Sequence, residues 1–157
     1  MKPTLYGLVV FAFTMVNMGC NDGPEIPASL RPLALADQVI LYSIDGNDYE
    51  PGKEPKAAEK FGRYPVLGKT ELGKEARAEV IAALASGLNK DFPAKCYWPR
   101  HVLRAIKGES VVDFVICFQC NQTFVYADGE RTELRFSKNT QPALDKHLKA
   151  AGIPLAP

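Results

Sequence analysis

The chain has 157 residues, enough for one folded domain and too few for two well-packed ones. Hydrophobic residues make up 46% of it and charged residues 24%, which excludes a wholly disordered chain. The formal net charge is +1 and the sequence has no basic stripe, so nucleic acid is not an expected partner.

The N-terminus has the pattern of a bacterial export signal. Lys2 supplies a positive charge, and residues 5–18 form an uncharged, apolar run that is shorter than a membrane span. Gly19 and Cys20 follow at once, as in a lipoprotein signal whose cysteine is lipidated and becomes the mature N-terminus. We therefore predict a signal peptide over residues 1–19 and lipid attachment at Cys20. The protein is then expected in the cell envelope, exported and membrane-anchored, on the periplasmic or outer surface.

Two alternatives stay open for this segment. Asn17 stands where the lipoprotein pattern usually has an aliphatic residue, so cleavage without lipidation is one. A buried helix over residues 5–18 is the other. The next residues are rich in proline and polar side chains, which predicts a flexible tether over residues 20–36. Export would place the later cysteines where they can oxidise.

Residues 37–157 are predicted to form a single α+β domain, with two helices on an antiparallel sheet of about five to six strands. Short apolar runs predict strands over residues 37–45 and 64–72. Apolar residues at helical spacing predict a helix over residues 74–86, and a last helix is expected between Thr140 and Gly152.

The stretch over residues 111–120 is strongly apolar and β-branched, and it is predicted to be the central strand. A turn at Gly108-Glu109 joins it to a strand beginning at His101, so paired residues have numbers that sum to 217. This register places Asp113 beside Arg104. The even-numbered residues of the stretch are the more apolar and are expected to face the core. The next hairpin turn is expected at residues 128–129.

Three cysteines follow the predicted lipid site. On a regular strand Cys117 and Cys120 would lie about 10 Å apart on opposite faces, whereas a disulfide needs Cα atoms within about 7 Å. The hairpin register brings Cys96 close to Cys120. We therefore predict a disulfide from Cys96 to Cys117 or Cys120. A Cys117–Cys120 bond would require a bend in the strand.

A zinc site is the alternative use of the same region. Cys96, His101, Cys117 and Cys120 together offer three thiolates and one imidazole, a set that zinc accepts. A thioredoxin-type redox role is less favoured, because strand-forming residues follow the Cys-x-x-Cys where that motif opens a helix. Covalent haem is excluded in its usual form, because Asn121 follows Cys120. No cofactor is expected, and zinc is the alternative to that prediction.

The sequence offers little support for catalysis. His101 alone is more typical of a hydrogen-bonded residue at the start of a strand, and no Ser-His-Asp pattern or phosphate-binding glycine loop stands out. We predict a non-catalytic binding or structural module, with a protein or small-molecule partner besides the membrane. The alternative is a metal-binding or thiol-redox domain.

Four sequence elements resemble a family of small bacterial exported proteins, in which a Cys-Phe-x-Pro-Arg-His element precedes a Cys-Phe-x-Cys strand. They are Cys96-Tyr-Trp-Pro-Arg-His101, Val115-Ile-Cys-Phe-Gln-Cys120, the segment starting at Gln141, and the C-terminal segment ending at Pro157. In this chain Tyr97 stands where the first element of the family has phenylalanine. The resemblance implies that the cysteine and histidine elements form one unit, and it implies no particular activity.

Overall fold

The computed structural model describes residues 25–47, 59–89 and 91–157. These residues form an α+β fold with an antiparallel sheet, as predicted. The predicted signal peptide over residues 1–19 and the predicted lipid site at Cys20 lie outside the described residues. In the part of the chain that is described, no helix has the length and apolar character needed to cross a membrane.

Seven strands and three α-helices are found in these ranges. The strands are β1 (Gln38–Ile44), β2 (Lys60–Phe61), β3 (Tyr64–Glu71), β4 (His101–Lys107), β5 (Ser110–Cys117), β6 (Gln122–Ala127) and β7 (Glu130–Leu134). The helices are α1 (Arg31–Leu35), α2 (Lys74–Gly87) and α3 (Gln141–Ala150), with short 3₁₀ turns at Ala28–Leu30 and Lys138–Thr140. The sheet order is β2-β3-β1-β4-β5-β6-β7. The prediction of five to six strands and two helices did not include the short strand β2 and the helix α1.

Two tight turns set the register of the sheet. Gly108 adopts a φ of 55° between β4 and β5, and His101 pairs with Ile116, so the predicted sum of 217 is confirmed. Asp128 and Gly129 adopt φ values of 50° and 82° between β6 and β7. Such paired positive φ values are typical of the tightest hairpin turns, because their twist matches that of the strands.

All three helices cover one face of the sheet and enclose the main core with it. Alternation along each strand directs every second side chain to this face. Phe114 and Ile116 of β5 are fully buried there, as the sequence predicts for the even-numbered positions. Their helical partners are Leu33 of α1, Val80, Ile81 and Leu84 of α2, and Leu144 and Leu148 of α3.

A flexible tether was predicted over residues 20–36, but the described part of that segment, residues 25–36, packs against the domain. Leu30 and Leu33 are 0% and 1% exposed and belong to the main core. Arg77 of α2 donates a hydrogen bond from Nη1 to the Ala36 carbonyl at 2.6 Å. Pro32 suits this helix because it lies in the first turn, where a backbone N–H has no helical partner. The folded domain therefore begins before residue 37.

The opposite face of the sheet, which we call helix-free because no helix among the described residues covers it, carries a smaller cluster and an ion pair. Val102 and Val115 are buried in that cluster. Arg104 and Asp113 lie opposite each other and form a two-pronged pair, with Nε–Oδ1 at 2.7 Å and Nη2–Oδ2 at 2.8 Å, as the register predicts. At one edge of the sheet, β7 exposes residues 130–133 to solvent.

Candidate functional site

A disulfide lies at the end of the central strand. Strand β5 ends at Cys117, and the turn Phe118–Asn121 leads into β6. Asn121 has a φ of 50°, and its N–H donates to the Phe118 carbonyl at 3.2 Å. This turn brings the Cα atoms of Cys117 and Cys120 to 5.2 Å, and their sulfurs are bonded. Both cysteines are buried, at 1% and 0% exposure.

This pairing corrects the predicted disulfide from Cys96 to Cys117 or Cys120. The prediction assumed a regular strand through Cys120, whereas the strand ends at Cys117 and a turn supplies the bend that the Cys117–Cys120 bond requires. Cys96 keeps a free thiol and is partly exposed. Its predicted proximity to Cys120 is confirmed, because the two Sγ atoms are 3.9 Å apart.

The segment over residues 91–100, which we call the cysteine loop, is held against the disulfide by backbone hydrogen bonds. The Ala94 N–H donates to the Cys120 carbonyl at 2.8 Å. The Trp98 N–H donates to Cys120 Sγ at 3.4 Å, and the Arg100 N–H donates to the Ile116 carbonyl at 3.1 Å. The position of the loop therefore depends on the turn that the disulfide closes.

His101 forms a buried pair with Asp145 of α3. Its Nε2 lies 2.7 Å from Oδ1 of Asp145, and the ring is 3% exposed with its edge against Phe118. An ionised carboxylate only accepts hydrogen bonds, so Nε2 donates. Burial raises the pKa of Asp145, but His101, the hydrogen bond from Gln141 and the charge of Lys149 together outweigh burial, and the pKa lies below its ordinary value. The prediction of a hydrogen-bonded His101 at the start of a strand agrees with this arrangement.

Asp145 was not predicted as the partner of His101, because the carboxylate can also pair with Lys149 at i,i+4 on a solvated helix. A signal was present in the sequence. Gln141, Leu144, Asp145 and Leu148 share one face at helical spacing, and the two leucines are fully buried. A carboxylate on a buried helical face needs a partner, and Gln141 also donates to Asp145 Oδ2 at 3.2 Å.

Asp145→Asn is expected to weaken the domain in a pH-dependent way. The folded pKa is lowered, so the ionised carboxylate stabilises the fold fully above the unfolded value, and this stability is lost as pH falls through the folded pKa. The variant should unfold at lower urea at neutral pH, with a loss of about 1–2 kcal/mol. The difference should shrink below about pH 4. Asp91→Asn, at an exposed position, is the control. A difference that stays constant down to about pH 2 would contradict the assignment.

Ser43 completes a Ser-His-Asp set that is not arranged for nucleophilic attack. The register pairs Ser43 with His101 across β1 and β4, and Ser43 is fully buried. Its hydroxyl donates to the Pro154 carbonyl at 2.7 Å. Nδ1 of His101, the ring nitrogen left free by Asp145, has no hydrogen-bond partner among the described residues. The serine proton is therefore directed away from the imidazole.

The four predicted zinc ligands have different surroundings and do not form one cluster. Cys117 and Cys120 bond to each other, Cys96 lies beside them with a free thiol, and His101 binds Asp145. Among the described residues no group of three or more His, Cys, Asp or Glu side chains is arranged to hold a metal ion. Thiolates are the zinc ligands, and a disulfide offers none, so a zinc site built on these residues requires the reduced protein. The zinc site stays a prediction.

The helix-free face carries aromatic rings and cations beside the cysteine loop. Tyr97 and Phe124 have ring centroids 4.7 Å apart, and the Arg131 guanidinium lies 4.6 Å from the Phe124 centroid. Burial raises the pKa of Tyr97, and its hydroxyl donates to the Val115 carbonyl at 2.7 Å. Tyr126, opposite Arg131 in the register, is 42% exposed. We call Tyr97, Phe124, Tyr126 and Arg131 the aromatic patch.

Comparison of the chain with family models, with curated proteins and with solved structures finds no match. The class of this protein is therefore defined by its fold and site: an α+β domain with a buried disulfide, a neighbouring free thiol and an aromatic sheet face that no described helix covers.

Proposed function

We propose that this chain is an exported, lipid-anchored protein of the cell envelope whose domain is a non-catalytic binding module. The N-terminal pattern ending at Cys20 supports the anchor. The buried Cys117–Cys120 disulfide supports export, because disulfides persist in oxidising compartments and are rare in the bacterial cytosol. One lipid chain anchors a protein weakly, so the further acyl chains of a lipoprotein are part of this proposal.

The observation that carries the binding role is the aromatic patch. Tyrosine, arginine and other aromatic residues are enriched at the centres of protein interfaces, where they combine apolar area with polar groups. Arg131 stacks on Phe124, and Tyr126 presents an exposed ring next to them. Trp98 of the cysteine loop adds a second exposed ring, at 49% exposure. The partner is a protein or a small molecule of the envelope.

The second candidate is a thiol-active domain built on Cys96, Cys117 and Cys120. It is favoured by the 3.9 Å separation between the free Cys96 Sγ and the Sγ of disulfide-bonded Cys120. A zinc-binding domain that adds His101 to these cysteines is the form of this alternative expected for the reduced protein.

Photocrosslinking in cells tests the proposal. Benzoylphenylalanine in place of Tyr126 is expected to give an adduct of defined size in the membrane fraction, because that ring lies at the binding surface. The same group in place of Glu109, an exposed turn residue, is the control and should give on the order of tenfold less adduct. Cys20→Ala should move the protein to the soluble fraction, since the lipid is its anchor.

The binding surface and the lipid anchor are tested independently by these experiments. Equal adducts from positions 126 and 109, or no adduct from position 126, would exclude the aromatic patch as the binding surface. A Cys20→Ala protein that stays in the membrane fraction would exclude the lipid anchor and leave the binding role untouched.

A further inference from the structure

The free thiol of Cys96 stands next to a disulfide that solvent does not reach. Cys117 and Cys120 are 1% and 0% exposed, whereas Cys96 is partly exposed. Cys96 Sγ lies 3.9 Å from Cys120 Sγ, and it is the one sulfur of the three that carries a proton, because the other two are bonded to each other. Only the thiolate form attacks a disulfide, so Cys96 is the competent nucleophile of this cluster.

The contacts distinguish the two sulfurs of the disulfide. Cys96 Sγ lies 3.9 Å from Cys120 Sγ, and a bonded pair is separated by about 2.05 Å, so the approach needed is about 2 Å. Cys117 Sγ accepts a hydrogen bond from the Cys120 N–H at 3.2 Å. This donor stabilises negative charge on Cys117 when the bond to Cys120 breaks, because hydrogen bonds to ionised acceptors are the stronger ones.

We propose that Cys96, Cys117 and Cys120 form an intramolecular thiol–disulfide exchange site in which Cys96 is the nucleophile and Cys117 the leaving group. The Cys96 thiol loses its proton to solvent, and its sulfur forms a bond to Cys120 Sγ. The Cys117–Cys120 bond breaks, its electron pair leaves on Cys117 Sγ, and that thiolate takes up a proton. One disulfide replaces another, so no outside oxidant or reductant is needed.

The exchange would move the reactive thiol from the surface into the core. In the described state the free thiol belongs to the partly exposed Cys96, and in the exchanged state it belongs to the buried Cys117. The new bond would tie the cysteine loop covalently to the β5–β6 turn, to which only hydrogen bonds hold it now. Trp98, next to Cys96 in that loop, would move with it. This inference deepens the second candidate of the proposed function, the thiol-active domain, and stands independently of the binding role and of the lipid anchor.

Two-step labelling of the full chain, purified without reductant in detergent, tests the exchange. The protein is incubated at about pH 8.5, near the ordinary pKa of a thiol, and labelled in the folded state with a maleimide. It is then unfolded in denaturant at about pH 6.5 in the presence of excess maleimide of a different mass, which captures each thiol before it can exchange. Trypsin releases residues 96–100. Chymotrypsin, which also cleaves after Tyr97, is used on a separate sample, where it cleaves after Phe118 and separates Cys117 from Cys120.

We expect Cys117 to carry the second label, and residues 96–100 to be recovered in a disulfide with the Cys120 peptide. The Cys96→Ser chain is the control: its second label on Cys117 should be on the order of tenfold lower, since no nucleophile is left. A Cys117→Ser chain treated with oxidised glutathione, which takes up the two electrons, should form the Cys96–Cys120 disulfide and keep no free thiol among these residues.

Three results would overturn the inference. One is a wild-type protein whose Cys96 takes all of the first label while Cys117 takes no second label. Another is a Cys117→Ser chain that folds, as judged by circular dichroism, with Cys96 and Cys120 both reduced after the glutathione treatment. The third is a link from Cys96 to Cys117 in the wild type, which would exclude Cys117 as the leaving group.

Discussion

The double variant Leu30→Ala, Leu33→Ala is expected to lose most of the free energy of unfolding. Both side chains are buried in the main core, at 0% and 1% exposure. A buried leucine replaced by alanine costs about 2–5 kcal/mol, because apolar contacts are lost and a cavity remains. Two such losses approach the whole stability of a typical domain, about 5–15 kcal/mol. Urea unfolding followed by circular dichroism measures the change.

The same helix offers a matched control. Leu35 lies at the end of α1 and is 59% exposed, so Leu35→Ala should change the free energy of unfolding by less than about 0.5 kcal/mol. The single variants at positions 30 and 33 should be measured too, because neighbouring sites do not always add. If the double variant unfolds at the same urea concentration as the wild type, the segment before residue 37 would be a tether after all.

Phe114→Ala is the second substitution with a large expected effect. Phe114 is fully buried on β5, where Leu103 and Val125 are its cross-strand neighbours in the main core. Truncation of a buried phenylalanine to alanine costs about 3–5 kcal/mol. The thermal midpoint should fall by more than about 10 °C, since about 1 kcal/mol shifts a domain of this size by several degrees.

Phe92→Ala makes the same chemical change at an exposed site. Phe92 lies in the cysteine loop and is 92% exposed, so its truncation should leave the thermal midpoint within a few degrees of the wild type. Comparable losses from the two variants would show that β5 is not the centre of the core.

The sheet was more predictable from sequence than the site. Register in an antiparallel hairpin follows from its turn, so Gly108-Glu109 was enough to place Asp113 against Arg104. The disulfide depends instead on where β5 stops. Cys117-Phe-Gln-Cys120 continues the apolar alternation of a strand, and the positive φ of Asn121 that closes the turn leaves little trace in composition.

Long-range contacts explain the other differences between the sequence-based prediction and the structure. The helix α1 lies in a proline-rich stretch of ordinary tether composition, and only the burial of Leu30 and Leu33 against the sheet makes it part of the domain. Likewise, Asp145 of α3 contacts His101 only in the folded domain, and no local pattern in the sequence specifies that contact. In both cases tertiary packing decides what local propensity leaves open.

The charged strand β7 also affects whether other chains can add to the edge of the sheet. A free sheet edge is a template for pairing with other chains, and proteins protect such edges with charged residues or with very short strands. Glu130, Arg131 and Glu133 are exposed along one edge, and β2 at the other edge has only two residues. Strand addition is disfavoured at both ends of the sheet. Copies of the domain are therefore not expected to join edge to edge, even at high concentration.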